Sequence, residues 1–142
     1  MGAPVIMCGK TEAVGTDVIA ALKPEFDAVH FVMTPEAGAA QIPAILRGEQ
    51  EVETNLALGS HDYFQELVAA ILGGSYDDAG TEVMMKASAG IHRIPWLRPD
   101  LTKPGPPFGT PEYSKALVQR IKVLLAQLEQ EGRMHEEKFV LY

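Results

Sequence analysis

The residues best placed to do chemistry lie in short polar stretches that follow apolar runs. Val5-Ile6-Met7 leads into Gly9-Lys10-Thr11 and then Gly15. A strand, a glycine turn and a helix in that order aim unpaired backbone N–H groups at one point and can cradle a phosphate or another small anion. Thr34 opens the corresponding turn after the next apolar run. Gly73-Gly74-Ser75-Tyr76-Asp77-Asp78 pairs a sharp turn with polar side chains. One aspartate is expected to cap a helix, which leaves Tyr76 and Asp78 for acid–base work. Arg98, at the end of Ile94–Leu97, can hold a carboxylate, phosphate or phenolate, or pair on the surface with Asp100 or Glu112. His61, beside Asp62, is a candidate general base, although neighbours in sequence point in different directions. The candidate catalytic set is therefore Tyr76, Asp78, His61 and Arg98. The candidate binding set is Gly9, Lys10, Thr11, Gly15 and Thr34.

Other reactive types yield less. Cys8 is the single cysteine. Near a helix start its thiol could be a nucleophile, but a small buried residue is the preferred reading. With one cysteine no internal disulfide forms, which points to a reducing, cytoplasmic setting. The four histidines, His30, His61, His92 and His135, show no His-x-x-x-His or His-Glu-x-x-His spacing, so no metal site is expected. A formal net charge of -7 argues against a nucleic-acid binder. No run of 18 apolar residues is present, the start of the chain has no secretory pattern, and Ile6 breaks the myristoylation motif that Gly2 would open.

The elements that position these residues follow from hydrophobic periodicity. Strands are predicted at Val5–Met7, Ala28–Met33, Val68–Leu72 and Ile94–Leu97, the last with Pro95 inside it. Helices are predicted over Thr11–Leu22, from Pro35 to Leu46 with a disturbance at Pro43, over Ala79–Ala89 and over Pro111–Glu131, with a short helical turn at His61–Leu67 and a loop over 48–60. Tyr113, Leu117, Ile121, Leu124 and Leu128 stripe the last helix. Five prolines make 98–111 an extended arm, and the apolar tail 139–142 must dock on its own sheet or on another subunit. Alternating strands and helices imply a single three-layer α/β domain over 1–142. Its parallel sheet has about four strands in the order 3-2-1-4, with right-handed crossovers and a long C-terminal helix. The candidate loops then meet at the carboxyl edge of the sheet. The helix stripe, the arm and the tail favour a homodimer.

The first hundred residues resemble the NAD(P)-binding Rossmann-like proteins, closest to the extended and atypical short-chain dehydrogenases and the NmrA-like group. Their signature Thr-Gly-x-Thr-Gly-x-x-Gly is met by Gly9, Thr11 and Gly15, while Cys8 and Glu12 depart from it. Arg93-Ile94-Pro95-Trp96-Leu97-Arg98-Pro99 resembles the strand that leads to the active-site half of that family. The chain also resembles short uncharacterised fungal proteins. The family resemblance implies NAD(P) as cofactor. Against it, Glu12 puts a carboxylate where the pyrophosphate would lie, with Lys10 the cation at hand, and Tyr63, Tyr76 and Tyr113 lack the lysine of a Tyr-x-x-x-Lys pair.

Three readings follow. The protein binds a nucleotide or another small anion at Gly9–Gly15. Or it is a cofactor-independent enzyme using Tyr76, Asp78, His61 and Arg98 in the same crevice. Or it is a non-catalytic homodimeric partner protein.

Overall fold

The computed structural model describes residues 2–52, 54, 56–107 and 110–142; Glu53, Asn55, Phe108 and Gly109, which fall in the predicted loop and arm, lie outside the described residues. The order is β1 (Ala3–Cys8), α1 (Glu12–Leu22), β2 (Phe26–Val32), α2 (Pro35–Leu46), β3 (Ala69–Leu72), α3 (Asp78–Ser88), β4 (Trp96–Arg98), α4 (Pro111–Gln130) and β5 (Phe139–Leu141). Each helix begins where a side chain accepts the first free amides: Thr11, Thr34, Asp77 and Thr110 all serve as N-caps. Pro43 sits within α2 without ending it. No helix forms at His61–Leu67, only a turn around Tyr63, and β4 begins after Pro95, which cannot donate to a ladder.

All the strands are parallel, and they form one sheet in the order β2-β1-β3-β4-β5. The α/β class and the three layers agree with the expectation from sequence, but the strand order 3-2-1-4 does not. The third strand pairs with β1 (Val5 opposite Ala69, Cys8 opposite Leu72) on the side away from β2. Its residues, Ala-Ala-Ile-Leu, are buried throughout, which suits a central strand covered on both faces. A fifth strand, made by the predicted docking tail, pairs with β4 (Trp96 opposite Phe139, Arg98 opposite Leu141). The tail thus docks on its own sheet.

Alternate residues of the strands feed two cores. Val5, Met7, Ile71 and Leu97 pack with Val18 and Leu22 of α1 and with Leu117, Val118, Ile121 and Leu125 of α4. Ile6, Cys8, Leu72 and Trp96 pack with Ile42 of α2 and Met84 of α3. The stripe of α4 is therefore spent inside the chain.

This layering has a topological consequence. The step from β1 to β2 runs one way with α1 on one face, and the steps from β2 to β3 and β3 to β4 run the other way with α2 and α3 on the opposite face. These three crossovers share one hand. The step from β4 to β5 continues in the same direction, yet α4 lies on the α1 face. That crossover has the opposite hand, against the strong general preference for a single hand. The proline-rich stretch after Arg98 provides the length to carry the chain over the carboxyl edge. As a result, among the described residues no helix covers β5 on the α3 side.

The two edges of the sheet are treated differently. Outside β2, the amides of Ser60 and His61 donate to the carbonyls of Ala28 and Val29 at 3.1 and 2.8 Å. Gly59 permits this close approach: its φ is +95°, and a Cβ there would stand 2.8 Å from the Val29 carbonyl oxygen.

Candidate functional site

The glycine corner is built as the sequence suggests, but it is nearly full. The amide of Gly9 donates to the Val32 carbonyl at 2.9 Å, and that of Gly73 to the Cys8 carbonyl at 2.8 Å. Both amides are thereby turned away from any ligand. Thr11 and Thr34 use their hydroxyls as caps, accepting from Val14 and Ala37 at 3.3 and 3.0 Å. The hollow between Gly9, Gly15 and Gly73 measures about 30 Å³, closed by Tyr113 and Leu117 of α4. That is room for one or two waters, far below the size of a ligand pocket. Glu12 is exposed and does not line it. Beneath it the Phe31 ring is fully buried. A Cβ on Gly15 would meet that ring at 2.7 Å, and one on Gly9 at 3.1 Å. The glycine spacing is thus explained by the packing of Phe31 against the turn.

Of the four candidate catalytic residues, the structure brings together two side chains. The Arg98 guanidinium donates to the Asp78 carboxylate at 2.8 Å and to the backbone carbonyl of Tyr76 at 3.1 Å. The Tyr76 phenol points elsewhere. It is buried and donates to the carbonyls of Gly9 and Val32 at 3.1 and 3.2 Å. Burial, reinforced by the Glu36 charge, pushes its ionisation far above the ordinary range, and its two hydrogen bonds lock the exits of β1 and β2 together. Lys10 rests over its ring, 4.7 Å from the centroid. His61 lies beside β2, three strand positions from β4, so it does not meet Arg98. Cys8 is fully buried, and burial pushes its thiol up, away from nucleophile behaviour. Among the described residues no group of three or more His, Cys, Asp or Glu could hold a metal ion.

Sequence reasoning missed the partners of His30. Its ring is buried, 2.6 Å from Gln41 Oε1 and 2.7 Å from the Tyr63 hydroxyl. An amide oxygen only accepts, so Nε2 carries the proton, and Nδ1 accepts from Tyr63. Burial, with a smaller effect of the His61 charge, holds His30 below its ordinary value of 6.5 against the opposing Gln41 bond. The unfolded chain then takes up a proton that the folded chain refuses, so this group's contribution is present above about pH 6.5 and is lost as pH falls. The slope from this one group cannot exceed about 1.4 kcal/mol per pH unit. His30→Gln should flatten this limb in urea unfolding followed against pH, while lowering stability at neutral pH. An unchanged acid slope would assign the proton uptake to another group.

A larger opening lies elsewhere. A cleft of about 480 Å³ runs between α3 and the bare face of β5, past Arg98 at the end of β4, lined by Asp78, Thr81, Met85, Lys86, Arg98 and Phe139 among others. The Arg98 side chain is only 14% exposed, while its partner Asp78 is 95% exposed. The guanidinium also lies 5.4 Å from the centroid of the Phe139 ring. At the other end, Lys86 pairs with Glu82 and Lys138 with Glu136. Arg98 and Asp78 were visible in the sequence as polar groups at strand and helix ends. Phe139 was visible only as part of an apolar tail, because nothing local says which strand that tail joins.

The chain is thus a doubly wound, three-layer α/β protein with one reversed crossover and a cleft on the face that the reversal leaves bare. It belongs to the family of a protein from Aspergillus oryzae named Kojic acid related protein 6. The two are 33% identical over 141 residues, which span 96% of this chain and 84% of the relative. No family model matches the chain, and no solved structure matches it.

Proposed function

We propose that this protein binds a small planar organic anion in the cleft between α3 and β5, with Arg98 as the anchor. One observation carries the reading: a largely buried guanidinium ends a pocket of ligand size, and its carboxylate partner is itself almost wholly in solvent. Such a carboxylate contributes little to holding the arginine, about 0–1 kcal/mol for an exposed pair. A ligand carboxylate or enolate can take its place and gain the bidentate geometry that guanidinium favours. Phe139 and Met85 offer flat apolar contact to the body of the ligand.

The name of the Aspergillus oryzae relative ties that protein to kojic acid. Kojic acid is a compact oxygen-rich ring with an acidic hydroxyl, so it heads the set of probes, with benzoate as a simple aromatic anion. Isothermal titration should show one site per chain. Arg98→Met should weaken binding by about 10- to 100-fold, the worth of a charge-assisted hydrogen bond. Binding that survives Arg98→Met unchanged removes the cleft from consideration. The nucleotide reading draws on Gly9, Thr11 and Gly15 at the β1–β3 switch point. It requires the hollow there to open, and thermal shifts with NAD, NADP and ADP-ribose test it directly.

A further inference from the structure

We infer that β5 is a self-pairing edge, and that two copies of this chain join through it antiparallel about a two-fold axis at Val140. The inference does not depend on any ligand. It begins with the backbone. Trp96 donates to the Lys138 carbonyl at 3.0 Å, and Tyr142 donates to the Arg98 carbonyl at 2.8 Å. By the alternation of a strand, Val140 also turns its peptide groups toward β4, while Phe139 and Leu141 turn theirs outward. The outward groups therefore come in two pairs spaced two residues apart. A second copy running antiparallel, with Val140 opposite its own mate, sets Phe139 of one chain against Leu141 of the other, twice. All four outward N–H and C=O pairs are then satisfied in a single register.

The side chains fit the same operation. Phe139 and Leu141 share one face of β5 and are 52% and 49% exposed. Opposed in an antiparallel pair, aromatic and branched aliphatic side chains cover each other. Strands at free edges are usually guarded by charge, proline or a covering segment. Here the β2 edge is covered by residues 58–61, while among the described residues Phe139-Val140-Leu141 has no charge, proline or covering segment, and its one guard is its length of three residues. A two-fold interface must match its own surface, and this three-residue strand does so about its central residue. The mate's Leu141 would also stand beside Phe139, adding a wall to the open side of the cleft.

A strand this short makes a small interface, so the dimer is expected to come apart at about micromolar concentrations. Each copy carries a net charge of -7, so added salt should strengthen it. Sedimentation equilibrium of the full chain across that range should show a mass rising from the 15.4 kDa of one chain to twice that value. Leu141→Glu should hold it at the lower mass. Val140→Cys should cross-link two chains under mild oxidation, since facing residues in a non-hydrogen-bonded antiparallel pair lie close enough for a disulfide. The natural Cys8 is buried and stays out of that reaction. Phe64→Cys, exposed and away from β5, is the control and should not cross-link. Should Leu141→Glu unfold, the cysteine pair decides alone. A single-chain mass at every concentration, an open assembly larger than two, or cross-linking of Val140→Cys no faster than of Phe64→Cys would each overturn the inference.

Discussion

Phe31→Ala is expected to destabilise the protein by about 3–5 kcal/mol, a large share of the stability of a domain this size. The ring is fully buried and fills the space under the glycine turn. Urea unfolding reads the loss directly. The sharper form of the experiment adds Gly15→Ala. Gly15 lies within α1, where alanine is worth about 1 kcal/mol more than glycine by helix propensity alone. Against that, the new Cβ would stand 2.7 Å from two atoms of the fully buried Phe31 ring. Overpacking of this kind costs about 1–3 kcal/mol. The sum should be destabilising in the natural chain and should turn neutral or favourable in a Phe31→Leu background, where the ring edge is gone. If the substitution has the same effect in both backgrounds, the glycine is not there for the ring, and the phosphate reading of the motif regains ground.

This bears on why part of the molecule could be read from sequence and part could not. Local signals placed the helices well. Thr11, Thr34, Asp77 and Thr110 cap where polar residues precede apolar periodicity, and Gly132 ends α4 with a φ of +70°. Nothing local marks which side of β1 receives β3, because Ala69–Leu72 is equally apolar on both faces and would fit either side. The reversed crossover is less legible still. It depends on α4 choosing the α1 face over the α3 face, a contest between two cores that no motif announces. The cleft follows from that choice, so neither its position nor the role of Phe139 in it could be read from residue types. The glycine pattern illustrates the opposite hazard. Gly9 and Gly15 leave room for a close neighbour, as the motif suggests, yet what approaches them is a phenyl ring from β2. His61 and Tyr76 look available in the sequence because both sit near turns. The strand order separates one from Arg98, and the carbonyls of Gly9 and Val32 take the hydroxyl of the other.

The second large effect is expected at Tyr142. Its ring is buried in the α1–α4 core, and its hydroxyl crosses beneath β4 to donate to the Leu72 carbonyl at 2.8 Å. Burial raises its ionisation far above the ordinary range, so it acts as a donor at all ordinary pH. Its backbone is tied as well: its amide donates to the Arg98 carbonyl, and its carbonyl accepts from Asp100 at 2.7 Å. One side chain thus anchors β5, which has few other buried contacts, because Phe139 and Leu141 face outward. Tyr142→Ala should cost about 3–5 kcal/mol and lower the melting temperature by about 10 °C. Tyr142→Phe keeps the ring and should cost only about 1 kcal/mol, the net worth of the lost hydrogen bond. Amide hydrogen exchange separates local from global loss. If β5 is held chiefly by this ring, the alanine variant should expose the amides of Trp96 and Arg98 to exchange well before those of β1 and β3. The same variant should lose both the cross-linking of Val140→Cys and ligand binding at Arg98, since both need β5 in place. Protection of β4 unchanged by Tyr142→Ala would mean that the backbone ladder alone holds the edge strand, and the dependence of cleft and dimer on this residue would fall with it.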